Sequence, residues 1–117
     1  IVRRDNQEKI DVSLDELTQK LDEILQDIQK NMYMECQNRV KEKTTVAHNL
    51  DEFTNNLNEN QGYIKAMWCE NPECEEKIHE LTGAKSRCIP FEQEKIGDKC
   101  VCCGKPASKL VIWGRQY

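Results

Sequence analysis

Five of the seven cysteines in this 117-residue chain stand in two short clusters far apart in sequence. These are Trp68-Cys69-Glu70-Asn71-Pro72-Glu73-Cys74 and Lys99-Cys100-Val101-Cys102-Cys103-Gly104-Lys105. Zinc takes four soft donors at tetrahedral corners, and two short chelating loops from distant parts of a chain supply them. An odd number of cysteines in tight groups suits long disulfide loops badly, so the pattern reads as thiolates on a metal in a reducing compartment, the cytoplasm. Hydrophobic residues make up 38% of the chain against 32% charged. The core is therefore thin, and a metal crosslink supplies stability that it lacks.

The spacing selects four ligands. Cys69 is placed at the end of a strand and Cys74 in the first turn of a helix, where free N–H groups and the helix dipole favour thiolate. Cys100 and Cys103 have two residues between them, and Gly104 can take the positive φ that turns knuckle amides toward sulfur. Cys102 stays open as an alternative to Cys103 if the knuckle closes over one residue. Cys88, between Arg87 and Ile89-Pro90-Phe91, reads as a small buried hydrophobe, and Cys36 as a bystander on a long helix. His48 and His79 read as surface residues, His79 being near enough in sequence to be another ligand. Four thiolates leave no open position for water, so the ion is expected to hold the fold rather than do chemistry. No Gly-rich phosphate loop, nucleophile elbow or His-x-Glu deaminase pattern accompanies them.

The rest of the sequence arranges itself around these clusters. Residues 1–12 read as the end of a small sheet folded about an Arg-Asp-Asn-Gln turn. Ser13 with Glu16 forms a capping box for a helix running to about Lys43, with Leu14, Leu17, Leu21, Ile24, Leu25, Ile28 and Met32 on one face. Thr44–His48 reads as a break, and Asn49 with Glu52 opens a second helix to about Leu57. Tyr63–Trp68 is a strand; Asn71-Pro72 opens a helix that Gly83 stops. Lys85–Ile89 and Leu110–Trp113 are further strands. The economical fold is α+β and two-layer, with helices on one face of a small mixed sheet in the order β-α-β-α-β-β, and a boundary between 1–45 and 46–117. No apolar run is long enough to span a bilayer, and a net charge of −4 argues against general nucleic-acid binding. The opening Ile1-Val2-Arg3-Arg4 has no initiator methionine and reads as the start of a fragment.

Several segments together resemble one family. They are Ile64 to Ile78 (IKAMWCENPECEEKI), Arg87-Cys88-Ile89-Pro90-Phe91, Cys100-Val101-Cys102-Cys103-Gly104-Lys105-Pro106-Ala107 and the ending Trp113-Gly114-Arg115-Gln116-Tyr117. They resemble the C-terminal domain of prolyl-tRNA synthetases of the eukaryote- and archaea-like type. Upstream, Val2-Arg3-Arg4-Asp5 and Lys9-Ile10-Asp11-Val12-Ser13-Leu14-Asp15 resemble the close of that enzyme's anticodon-binding domain, so the resemblance covers almost the whole chain. It implies that residues 1–45 end that domain with a long connecting helix. Residues 46–117 would then be a zinc-binding domain similar in fold to the C-terminal domain of a translation initiation factor. It further implies a structural zinc on Cys69, Cys74, Cys100 and Cys103, and a Tyr117 carboxylate directed toward the parent active site. The parent would be a homodimer that activates proline with ATP and Mg2+ and attaches it to tRNA(Pro). Those steps would lie in a catalytic domain outside this chain, its partner in cis.

A different class of function is a free-standing zinc module that binds RNA or a protein partner. Lys99, Lys105, Lys109 and Arg115 would touch phosphate, while Tyr63, Trp68, Phe91 and Trp113 would stack on bases. Glu70, Glu73, Glu75, Glu76 and Glu80 crowd the same lobe and oppose it, and core packing is the default for aromatics on apolar strands.

Overall fold

A computed structural model of the chain describes residues 1–116 in two compact units, residues 1–39 and the remainder from Val40. Tyr117, and with it the expected placement of its carboxylate, lies outside the described residues.

In the first unit, residues 1–10 fold back as a hairpin at the level of a single bridge, Val2 to Lys9, rather than as the expected sheet. Gln7 turns the chain with φ of 64°, and Ile10 donates its amide to the Ile1 carbonyl at 2.9 Å. The buried Arg3 guanidinium donates to Asp5 and Asp27, both at 2.7 Å. Helix α1 (Leu17–Glu42) starts three residues later than the capping box implied. The Ser13 hydroxyl donates to the Glu16 carboxylate at 2.7 Å, and residues 14–16 form a turn instead of a first helical turn. The Ser13 hydroxyl is thus turned to the Glu16 side chain rather than to a helix amide, and the reciprocal bonds of a capping box are not made.

The second unit has the order β1 (Thr44–Val46), α2 (Leu50–Asn60), β2 (Tyr63–Trp68), α3 (Pro72–Thr82), β3 (Ala84–Cys88) and β4 (Lys109–Arg115). This is the β-α-β-α-β-β sequence, but its first strand is the segment read as a break. Three β-branched residues, Thr44, Thr45 and Val46, suit a strand. The Tyr63 amide meets the Lys43 carbonyl at 2.8 Å and draws them alongside β2. Only glycine allows that approach, since a Cβ at Gly62 would lie 1.9 Å from the Lys43 oxygen. The sheet is mixed, in order β1-β2-β4-β3. β1 runs parallel to β2, and the other pairings are antiparallel.

Register decides which side chains share a face. Ile64 lies opposite Trp113 and Ala66 opposite Val111, and all four are buried with Phe53 and Leu57 of α2 and Ile78 of α3. Both helices therefore cover this face. Phe53 meets Trp113 edge-on, with ring centroids 6.0 Å apart. Full burial of an aromatic or branched aliphatic side chain stabilises by about 1.5–3 kcal/mol. Each helix starts as the sequence dictates. Asn49 accepts from the Glu52 amide at 2.9 Å, while the Glu52 carboxylate accepts from the His48 amide, also at 2.9 Å. Asn71 accepts from the Glu73 amide with Pro72 at the first helical position, and Gly83, at φ of 72°, ends α3. On the other face, Met67 and Leu110 are buried as well. The connection between β3 and β4 passes this side at Gly97, beside the Met67 side chain, and Val101, whose side chain joins the helix-side core, donates its amide to the Met67 carbonyl at 2.9 Å.

Candidate metal centre

The sheet brings the two cysteine clusters together. β2 ends at Trp68, so Cys69 leaves the sheet at its rim. Glu70 takes a left-handed conformation, φ of 61°, which costs a non-glycine residue about 1–2 kcal/mol. The chain thereby turns sharply into the Asn71 cap and the first turn of α3, which holds Cys74. The Trp68 indole N–H donates to the Asn71 carbonyl at 3.2 Å and braces the corner. Opposite, residues 98–107 form a small knuckle. The Ala107 amide donates to Asp98, the Cys100 amide to Lys105 at 2.8 Å, and the Gly104 amide back to Cys100 at 2.9 Å. Gly104 has φ of 69°, which only glycine adopts at little cost. Val101, tied to Met67, anchors the knuckle beside the end of β2.

The sulfurs of Cys69, Cys74, Cys100 and Cys103 consequently lie within 4.8 Å of one another. Cys69 Sγ is 3.6 Å from both Cys74 Sγ and Cys103 Sγ. That separation excludes a disulfide, whose sulfurs stand about 2.05 Å apart. It matches the S···S edge of about 3.8 Å in a tetrahedron with metal–sulfur bonds of about 2.3 Å. Cys74 and Cys100 are buried, Cys69 is half-buried and Cys103 is exposed, so the cluster closes toward the core and opens at one rim.

The backbone is arranged for anionic sulfur. The Lys105 amide hydrogen-bonds Cys103 and holds its thiol down to about 7. For Cys69, burial pushes the thiol up and the Asn71 amide opposes it. Burial pushes Cys74 well above the ordinary thiol range, with hydrogen bonds to Cys103 and Cys69 adding to the rise. The helix N-terminus does not by itself make Cys74 a thiolate. Four sulfurs in one small volume cannot all carry charge without a cation, and a soft divalent ion reverses each of these costs. The donor set can hold a metal ion, and its all-sulfur chemistry fits zinc.

Other residues fall outside the cluster. Cys102 is half-buried against the hydrophobic core. Cys88, expected to be buried, is exposed. It lies on the outer strand β3, just past a bulge at Arg87 that disturbs the register between Ser86 and Cys88. Cys36 is exposed on α1, and His48 and His79 are exposed. The aromatics offered for base stacking divide. Trp113 is in the core and Trp68 packs against it, whereas Phe91 sits in a loop rather than on a strand, fully exposed. The Arg115 guanidinium is engaged by the Thr82 carbonyl at 2.8 Å and by Asn58 at 2.9 Å. Sequence reasoning missed Gln93, whose amide completes the edge of β4 at Leu110; a lone glutamine in a polar stretch carries no signal for that role.

A β-α-β-α-β-β domain with four converging cysteines, two from a strand–helix corner and two from a knuckle, defines a small α+β domain of the metal-cluster class. Comparison with known proteins makes this specific. Residues 50–117 match the family model described as "Prolyl-tRNA synthetase, C-terminal", and the chain belongs to that family. It is 54% identical over all 117 residues to a proline--tRNA ligase of Clostridium botulinum (strain Okra / Type B1), and 47% identical to that of Ruminiclostridium cellulolyticum. It spans 24% of the length of each. The crystal structure of prolyl-tRNA synthetase from Cryptosporidium parvum, complexed with L-proline and AMP, superposes with a TM-score of 0.90 at 34% identity. The match covers 99% of this chain and 25% of that one. Among the described residues no helix is long and apolar enough to cross a membrane.

Proposed function

We propose that this chain is the non-catalytic C-terminal part of a proline–tRNA ligase, held in shape by one structural zinc on Cys69, Cys74, Cys100 and Cys103. The parent would activate proline with ATP and Mg2+ and attach it to tRNA(Pro) in the cytoplasm, as a homodimer. Its catalytic domain would lie outside these residues and contact them in cis. Residues 1–45 would close the anticodon-binding domain and residues 46–117 would form the zinc domain. The observation that carries the reading is the meeting of four sulfurs within 4.8 Å, from two half-sites far apart in sequence, in a chain of this family.

Zinc supplies folding free energy in such a site and no reaction step. The protein's own part is to orient sulfur. The Asn71 and Lys105 amides face Cys69 and Cys103, and the Glu70 and Gly104 conformations set the two loops. The test is proline-dependent charging of tRNA(Pro) by the full-length enzyme, with and without Cys103→Ser. Charging should be specific for proline, and the variant should lose zinc and the fold of this lobe together. A variant that keeps zinc and fold but loses rate would overturn the structural role. Absence of proline charging by the intact enzyme would overturn the assignment.

A further inference from the structure

The four sulfurs of the cluster differ in how solvent reaches them. Cys74 and Cys100 are 6% and 2% exposed, whereas Cys69 is half-buried and Cys103 stands open at the rim. The two accessible sulfurs are also neighbours, since Cys69 Sγ lies 3.6 Å from Cys103 Sγ. They come from opposite half-sites, Cys69 from the strand–helix corner and Cys103 from the knuckle, 34 residues apart in sequence. A fully buried cluster would be closed to small polar oxidants. This one presents its most exposed sulfur with a second sulfur beside it, the arrangement in which a cysteine is oxidised reversibly.

The other cysteines lack that combination. Cys36 and Cys88 are exposed but lie outside the cluster, on α1 and β3. Cys102 adjoins Cys103 in sequence, yet it packs against the hydrophobic core. Cα atoms of adjacent residues also stand about 3.8 Å apart, under the span of about 4.4–6.8 Å that a disulfide takes. Cys74 Sγ is 3.6 Å from Cys69 Sγ, but it is buried in α3, and a bond there would close one half-site on itself. A thiol that coordinates a metal is already deprotonated, so the rim sulfurs meet an oxidant in their nucleophilic form.

We infer that Cys69 and Cys103 are a site of reversible oxidation by hydrogen peroxide, which joins them as a disulfide and discharges the metal. The Cys103 thiolate attacks a peroxide oxygen. An S–O bond forms, the O–O bond breaks and hydroxide leaves, so sulfur is oxidised by two electrons and peroxide is reduced by two. The Cys69 thiolate then attacks the sulfenic sulfur of Cys103; an S–S bond forms, the S–O bond breaks and a second hydroxide leaves. Two protons from solvent convert the hydroxides to water. The sulfurs close from 3.6 Å to about 2.05 Å, and Cys74 and Cys100 remain as two donors where a closed shell needs four. Because the new bond crosses between half-sites, the corner stays tied to the knuckle once the metal has gone, and reduction in the presence of zinc restores the site. This rests on the zinc reading given under Proposed function and adds the chemistry that undoes it.

The test adds hydrogen peroxide stepwise to the full-length zinc-loaded protein, reading zinc release with a chromophoric chelator and disulfides by peptide mapping under non-reducing conditions. Zinc should leave in step with the appearance of a Cys69–Cys103 link, severalfold more abundant than any other disulfide in this chain. Dithiothreitol with added zinc should return both to their starting values. The Cys102→Ser variant should release zinc at the parent's rate and give the same link. A link of Cys69 to Cys74, or of Cys102 to Cys103, as the main product would overturn the inference. So would slowed release in Cys102→Ser, or zinc retained while Cys36 and Cys88 are oxidised. Zinc content and proline charging before peroxide is added report separately on the assignment. A zinc-loaded protein that never forms the Cys69–Cys103 link overturns the inference alone, and one with no zinc at the outset overturns both.

Discussion

Residues 1–39 and the unit from Val40 onward both carry regular apolar patterns, yet they are stabilised differently. In the first, among the described residues, Ile24 is the one buried apolar side chain, and Arg3 is buried beside its carboxylates. In the second, two helices and four strands enclose Phe53, Leu57, Ile64, Ile78, Val111 and Trp113, and four sulfurs meet at the rim. An apolar stripe on a helix becomes a core only when its own unit supplies a second layer. Within residues 1–39 the contacts are ion pairs and a hairpin, with no second layer from those residues themselves. The second unit has a layer, and a site at which a metal can lock it.

If that contrast is right, the largest effect should come from the metal. Structural zinc binding is worth about 10–16 kcal/mol at neutral pH in small modules, comparable to the whole stability of a domain. Chelation, or Cys100→Ser, should therefore abolish near-UV circular dichroism from Trp68 and Trp113 while much of the helical signal of α1 persists. Cys102→Ser should leave zinc bound and Cys103→Ser should release it, as measured by zinc content after dialysis. Loss of zinc from Cys102→Ser alone would place the fourth ligand wrongly. Next comes the core: Trp113→Ala should cost about 3–5 kcal/mol in chemical denaturation of the zinc-loaded protein.

Smaller effects probe the helix starts and the first unit. Asn49→Ala removes the oxygen that accepts from the Glu52 amide and should cost about 1 kcal/mol. Ser13→Ala, whose hydroxyl meets only a side chain, should cost less than Asn49→Ala in the same assay. The Arg3 guanidinium, followed by burial of the carboxyl acting the other way, holds Asp5 below the usual carboxylate range. Its lowered folded-state pKa makes this contact stabilising above the unfolded value and lost as pH falls through the folded one. Amide exchange protection at Ile10 should therefore fall on acidification below the ordinary carboxylate range. Arg3→Met should remove that pH dependence and leave the second unit unaffected.

The parts of the fold legible in the sequence are those whose causes are local. Asn49 with Glu52 set the start of α2, and Asn71-Pro72 with Gly83 both ends of α3, because capping chemistry acts within four residues; α2 runs on to Asn60, past the expected Leu57, and ends at Gln61 in a left-handed conformation that no glycine announced. The four-cysteine cluster was legible too, since chelate spacing is also local. β1 was not legible. A three-residue strand has no periodicity, and its existence depends on Gly62 letting the distant Tyr63 approach Lys43. Cys88 was read as buried from its apolar neighbours, but the bulge at Arg87 and the outer position of β3 decide its exposure. Ser13 and Glu16 satisfy the pattern of a capping box, yet their side chains bond to each other and the helix starts at Leu17.

The central claim is that Cys69, Cys74, Cys100 and Cys103 hold one zinc and that this ion holds the lobe. Native mass spectrometry combined with thiol alkylation tests it most directly. The account predicts one zinc per chain, with those four thiols protected and Cys36 and Cys88 labelled rapidly. After chelation at neutral pH, all four should become reactive as the lobe loses its fold. A chain without zinc, or one in which Cys88 or Cys102 is protected in place of Cys103, would contradict it.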